Sequence, residues 1–338
     1  MLGGMQSVTD DQRVSDAYRR WARVEAGEGS PRYAEWALGV ADDPWLCAAI
    51  AELEPLKRQA NLLFAAARFE GVPLQPWSQV RDMIAGSWGR IRATMLARMT
   101  QTNEARRMAT LLPAIAHLTG PIALVEVGAS AGLCLYPDRW RYRFGPGRYA
   151  GDASLPLLET EASPSTPVPT HPPTVAWRGG LDLQPLDPDD PETRAWLEAL
   201  VWPDATGGVD GARVDRVRTG IAIARRESAH VRRGDLMTDT RAVVEEAARH
   251  APTVVVWHSA VLAYVPAAAR VDFAELMREL PVTWVANEGG ALELGPPAPW
   301  ARPGDFVLRR DGEPLAITHP HGASITWIDD LPPVASER

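Results

Sequence analysis

The stretch Ile122-Ala-Leu-Val-Glu-Val-Gly-Ala-Ser-Ala-Gly-Leu133 constrains the fold of this chain more than any other. Ile122 to Val127 are apolar apart from Glu126 and rich in β-branched residues, the pattern of a strand covered on both faces. Gly128 and Gly132 then let the backbone turn tightly and approach a ligand, with amide groups pointing outward, ahead of the first turn of a helix. Glu126, two residues before the first glycine, is placed to hold a ribose or a cationic group. A strand buried on both faces belongs to a parallel sheet, so the chain beyond it should alternate strand and helix.

The C-terminal two thirds do alternate. Strands are expected at 174–177, 230–233, 253–257 and 282–286, and helices at 191–201, 212–227, 239–250 and 267–280. After Leu133 the helix is cut short by Pro137, and alternation over 140–144 before Gly145-Pro-Gly147 signals a hairpin. Residues 155–173, dense in proline, serine and threonine, read as a loop or insertion. Asp311-Gly312 marks a second hairpin between 306–310 and 314–318, which 324–328 extends. The expected fold is α/β: a doubly wound, mostly parallel, seven-stranded sheet over 119–330, with a Pro-rich insertion at 152–174.

Residues 1–118 read as a helical cap. Val14, Ala17, Tyr18, Trp21 and Val24 recur at helical spacing, and Ser30-Pro31 reads as an N-cap followed by proline at the first helical position. Further helices are expected over 44–53, 55–70, from Gln79, and over 89–112. Within the last lies Gln101-Thr-Asn-Glu-Ala-Arg-Arg107, either a solvated helix face or the flank of a ligand cleft. Asn103 and Arg106, three apart, would share that face, with Glu104 between them, and an arginine there can grip a carboxylate through two bonds.

Composition removes several function classes. The net charge of −8 argues against nucleic-acid or basic membrane-surface binding. Lys57 is the only lysine, so there is no Gly-Lys-Ser/Thr phosphate loop and no other Schiff-base candidate. Cys47 and Cys134 suit neither a disulfide framework nor a zinc site. His319-Pro-His321 lacks a third ligand, so no metal is expected. The first twenty residues carry Asp10, Asp11, Arg13 and Asp16 rather than a signal-peptide core, and no apolar run has membrane-spanning length, which points to the cytoplasm.

Glu126-Val-Gly-Ala-Ser-Ala-Gly132 lacks the spacing of dinucleotide-binding loops. It resembles motif I of class I S-adenosylmethionine-dependent methyltransferases. Two further stretches resemble that family in order: Gly234-Asp235, like its third-strand turn, and Val255-Val-Trp-His-Ser-Ala-Val-Leu-Ala-Tyr-Val-Pro266, like its fourth-strand segment. The resemblance implies S-adenosylmethionine as cofactor, held by Glu126, Gly128, Ala129, Ser130, Gly132 and Ser259, with Asp182 as the second-strand acid and Asp235 beside the nucleoside. His258, at the end of a buried strand, is the candidate general base, with a structural histidine as the alternative. Asn103, Glu104, Arg106, Asn287 and Glu288 would face a small-molecule acceptor.

Two other readings use the same residues. Gly128-Ala-Ser-Ala-Gly132 also fits the Gly-x-Ser-x-Gly elbow of α/β-hydrolases, with Ser130 as nucleophile and Asp235 plus His319 or His321 as partners. The absence of earlier strands argues against it. Alternatively the domain binds a nucleoside-like metabolite or a protein partner without chemistry. Over nearly its whole length the chain resembles an uncharacterised bacterial group, the domain-of-unknown-function family two-three-three-two. The resemblance rests on Gln101-Thr-Asn-Glu-Ala-Arg106, the Glu126–Leu133 stretch, Trp177-Arg-Gly-Gly-Leu-Asp-Leu-Gln-Pro-Leu-Asp187, Val201-Trp-Pro203, Arg233-Gly-Asp235, His258-Ser-Ala-Val-Leu-Ala-Tyr264 and Pro320-His-Gly322. That family implies a fold and a cleft but no reaction.

Overall fold

A computed structural model describes residues 9–27, 29–302 and 304–331. The first eight residues of the stretch read as lacking a signal-peptide core lie outside them. Among the described residues the helices are α1 (Asp10–Trp21), α2 (Pro31–Ala41), α3 (Pro44–Ala51), α4 (Ala60–Phe69), α5 (Trp77–Gly86), α6 (Trp88–Ala97), α7 (Met108–Ile115), α8 (Pro191–Ala199), α9 (Gly211–Glu227), α10 (Leu236–Ala247) and α11 (Ala267–Glu279). The strands are β1 (Ile122–Val127), β2 (Arg141–Phe144), β3 (Tyr149–Ala150), β4 (Leu157–Ala162), β5 (Val175–Asp182), β6 (His230–Arg233), β7 (Thr253–Ser259), β8 (Thr283–Gly289), β9 (Phe306–Arg310), β10 (Glu313–Thr318) and β11 (Ser324–Trp327). No helix among these residues is long and apolar enough to cross a membrane.

The chain forms two units, each built from two segments: residues 1–103 with 191–215, and 104–190 with 216–338. The expected boundary after residue 118 therefore falls inside the second unit. The first unit is helical. Its core is aromatic, with Phe64 meeting Tyr18, Trp21, Tyr33 and Trp36 at ring separations of 4.9–6.3 Å. The returning segment joins that core through Trp202, 4.9 Å from Trp21. It is tied in by Asn103, whose Nδ2 donates to the Leu197 carbonyl and whose Oδ1 accepts from Arg213. Asp43 caps α3 through the Trp45 and Leu46 amides, whereas the hydroxyl of Ser30, the expected cap of α2, makes no such bond.

The helix expected over 89–112 is broken. It ends at Ala97, and a new helical turn begins only at Ala105, where Glu104 caps the Arg106 amide. Thr100, Thr102 and Asn103 favour local hydrogen bonding over helix, which explains the break. Asn103 and Arg106 consequently share no helix face. The helix expected over 55–70 is likewise two pieces, a 3-10 turn at Pro55–Lys57 and α4.

The second unit holds one sheet with strand order β3-β2-β4-β11-β10-β9-β8-β7-β1-β5-β6. The five strands β6, β5, β1, β7 and β8 are parallel, and β9 runs antiparallel beside β8. The α/β class and the mostly parallel sheet agree with the sequence, but there are eleven strands rather than seven. Of the four additional strands, β2 and β3 form the hairpin signalled near 140–147 and β11 the extension at 324–328, while β4 lies in the segment expected to be a loop. Burial alternates along β4, with Leu158 and Thr160 inside, and it pairs in parallel with both β2 and β11. Its proline-rich flanks masked a strand at their centre.

Side chains alternate across each strand, which divides the sheet into two faces. Val125, Val127, Val254, Val256, Trp284 and Ala286 pack against α10 and α11. The opposite face receives Leu124 and Glu126 from β1, Trp257 and Ser259 from β7, and Asn287 from β8. This division decides which strand-end residues can meet.

Candidate functional site

Strand order reverses between β1 and β7, the place where open α/β sheets form a ligand crevice beyond the strands' carboxyl ends. The loop after β1 stands at this reversal. Gly128, Ser130 and Gly132 have φ of 74°, 55° and 73°, a left-handed series that cannot begin a right-handed helix. Turns therefore replace the expected helix up to the 3-10 turn at Pro137–Arg139.

Asp182 is the last residue of β5, beside β1, where a second-strand acid was expected. Its carboxylate accepts from the Ser130 amide (2.8 Å) and the Gln184 amide (2.7 Å), so it braces the loop. The Gly128 and Ala129 amides donate to the Leu181 carbonyl at 2.8 and 2.9 Å. The loop's first three amides thus point into the protein rather than outward. A Cβ on Gly128 would lie 2.4 Å from Val261 Cγ2, so the close approach that this glycine permits is to the segment after β7.

Around the loop lies a buried polar cluster. Glu126, Ser130 and Arg107 are 3, 0 and 9 % exposed, yet Glu126 Oε2, Ser130 Oγ and Arg107 Nε have no hydrogen-bond partner. Arg107 Nη1 donates to the Ser259 carbonyl at 2.8 Å. Burial pushes the Glu126 carboxyl well above the usual carboxylate range; Arg107 opposes this, and Asp182 adds to it. Cys134, between Glu126 and the Glu104 carbonyl, is also raised by burial first and the Glu126 carboxyl second, so it is no ready thiolate. Glu126 therefore holds its proton to higher pH than a solvent-exposed carboxyl would.

Because Glu126 binds a proton more tightly when folded, stability must fall as pH rises from the unfolded value of about 4.3 towards the folded one. Glu126→Gln removes that dependence. Its stability relative to the parent should be flat below about pH 4 and grow in the variant's favour above it, as urea midpoints across pH would show.

The other expected site residues separate by face. Asn287 Oδ1 accepts from Thr318 Oγ1 at 2.6 Å, and its Nδ2 lies 3.4 Å from Ser259 Oγ, on the Glu126 face. His258 and Glu288 lie on the opposite face, toward α11. His258 is fully buried, with Nδ1 2.7 Å from Glu288 Oε1, while its Nε2 accepts from the Trp284 indole at 2.9 Å. The pattern fixes the Nδ1–H tautomer and occupies both nitrogens. His258 and Asp182 therefore face no common pocket, and the base role gives way to a structural pair.

Three further expectations change. Glu104 is held through two bonds by Arg216 at 2.8 and 2.9 Å, and Arg106 Nε donates to the His321 carbonyl, so that nitrogen is spent on a backbone oxygen. Asp235 is an exposed cap on α10, accepting from the Met237 amide. Ser130 has the strained φ of an elbow nucleophile, but its hydroxyl bonds no histidine, and the neighbouring amides are spent on Leu181 and Asp182. No hydrolase triad is assembled there. Sequence reasoning missed Arg107, adjacent to the arginine it chose. It also missed Trp284, whose indole donor has no local sequence signature.

A family model described as an uncharacterized protein conserved in bacteria, DUF2332, matches residues 15–327. No curated protein and no solved structure matches the chain.

Proposed function

We propose that this chain, which belongs to the DUF2332 family, binds S-adenosylmethionine beyond the carboxyl ends of β1 and β5 and transfers its methyl group to a small-molecule acceptor. The observation that carries this reading is the reversal of strand order at β1, with the Gly128–Gly132 loop at the reversal and Asp182 ending the neighbouring strand. The three unpartnered polar atoms of Glu126, Ser130 and Arg107 fit a polar ligand portion such as an amino-acid end. Bound there, the cofactor would supply an activated methyl group on sulfur. The chain's part is then to bind and orient, and methyl transfer requires in-line positioning more than a protein nucleophile. Val261 fills the space against Gly128, so binding requires the segment after β7 to swing away.

Titration calorimetry with S-adenosylmethionine and S-adenosylhomocysteine tests this. Saturable binding of both is expected, about tenfold weaker in Glu126→Gln and tighter in Val261→Ala, which lowers the cost of opening. Absence of binding to both parent and Val261→Ala at millimolar ligand would remove the proposal. The occupied nitrogens of His258 favour a second reading, a nucleoside-metabolite binding module without catalysis. It predicts the same binding with no methyl transfer to any acceptor.

A further inference from the structure

A cavity of about 360 Å³ opens on the flank of the second unit, beside β6, and Ala131 is the one residue it takes from the Gly128–Gly132 loop. Its other walls come from Tyr136, Leu186, Ala224 and Val231. Val231 is the second residue of β6, and Ser228 and Ala229, also in the lining, immediately precede that strand, so the space lies over the face of β6. Its volume falls in the lower part of the roughly 300–1,000 Å³ range of small-molecule sites. Ser228 adopts φ of 52°, a conformation costly for a non-glycine residue and recurrent where ligands bind.

The lining mixes apolar and polar surface, and the mouth is charged. Asp187, Asp189 and Arg225 line it. Arg225 Nε pairs with Asp189 Oδ1 at 2.8 Å, which balances those two charges. Asp187 accepts the Asp189 amide at 2.8 Å, and no cation pairs with it among the described residues. One uncompensated carboxylate at a pocket that also presents Tyr136, Leu186, Ala224 and Val231 is complementary to a cationic head on a compact apolar body.

We propose that this pocket is a binding site for a small primary amine carrying an aromatic or branched apolar body, with its ammonium group on Asp187. The site adjoins the proposed cofactor crevice through Ala131 and the segment after β5, but its assignment does not depend on that reading.

Calorimetric titration of the full chain without cofactor, using phenethylamine and its carboxylate counterpart 3-phenylpropionate, tests the assignment. The amine should saturate and the carboxylate should not. Asp187→Asn, a change at the pocket mouth, should weaken the amine about tenfold, the usual consequence of losing a charge-assisted bond. Arg225→Gln should strengthen it several-fold, because it frees the Asp189 carboxylate at the same mouth. Failure of the amine to saturate, equal binding of the carboxylate, or unchanged affinity in Asp187→Asn would each overturn the proposal. As no S-adenosylmethionine is present, these outcomes are independent of the methyltransferase reading.

Discussion

Glu288→Ala should lower the unfolding free energy by about 3–5 kcal/mol, the cost of leaving three largely buried donors without their acceptor. Glu288 is 2 % exposed, and its carboxylate accepts from three donors: His258 Nδ1 at 2.7 Å and the amides of Val261 and Leu262 at 3.0 and 3.3 Å. Removing it strands all three in a dry interior and releases the turn that carries Val261. Trp284→Phe, which removes the donor to His258 Nε2 together with part of a buried ring system, should cost about 2–3 kcal/mol. Urea unfolding followed by tryptophan fluorescence measures both. A loss below about 1 kcal/mol for Glu288→Ala would mean the pair does not hold this turn, and would return His258 to candidacy as a base.

Gly128→Ala should destabilise by about 2–4 kcal/mol, through two separable causes. The φ of 74° disfavours any Cβ, and that Cβ would meet Val261 Cγ2 at 2.4 Å and Cγ1 at 3.2 Å. Val261→Ala removes the clashing methyl groups but leaves the backbone strain. In a double-mutant cycle it should therefore recover the steric part of the loss and leave about 1–2 kcal/mol behind. Strict additivity would show that Gly128 does not support Val261. The same Val261→Ala variant is expected to bind cofactor more tightly, so stability and affinity together report whether this contact closes the crevice.

Much of the fold was legible because its signals are local. The unbroken apolar run of β1, the alternation of strands and helices after it, and Asp311-Gly312, whose φ values of 53° and 89° close the β9–β10 hairpin, all depend on residues near in sequence. The strand expected to end at Trp177 runs on to Asp182, so the place of that acid came from the resemblance rather than from the strand pattern. Where local signals conflict, reading failed. Prolines on both sides of β4 outweighed its alternation, and the polar run before Ala105 could be assigned to a helix face only on the assumption that the helix continued.

The site divides along the same line. Residue types and strand ends are set by sequence: a glycine-bearing loop after β1, an acid at Glu126, another at Asp182, and His258-Ser259 and Asn287-Glu288 closing two later strands. What those residues touch depends on strand register and face, which involve partners far away along the chain. A shift of one residue along β7 or β8 moves a side chain through the sheet, so His258 and Ser259 go to opposite faces although they are adjacent. Burial then raises the Glu126 carboxyl above its usual range, and the Trp284 indole and the Glu288 carboxylate together occupy His258. Sequence determined which chemical groups stand at the sheet's edge; only tertiary structure decided which of them meet and in what protonation state, because pairing across strands and exclusion of water are properties of the assembled core.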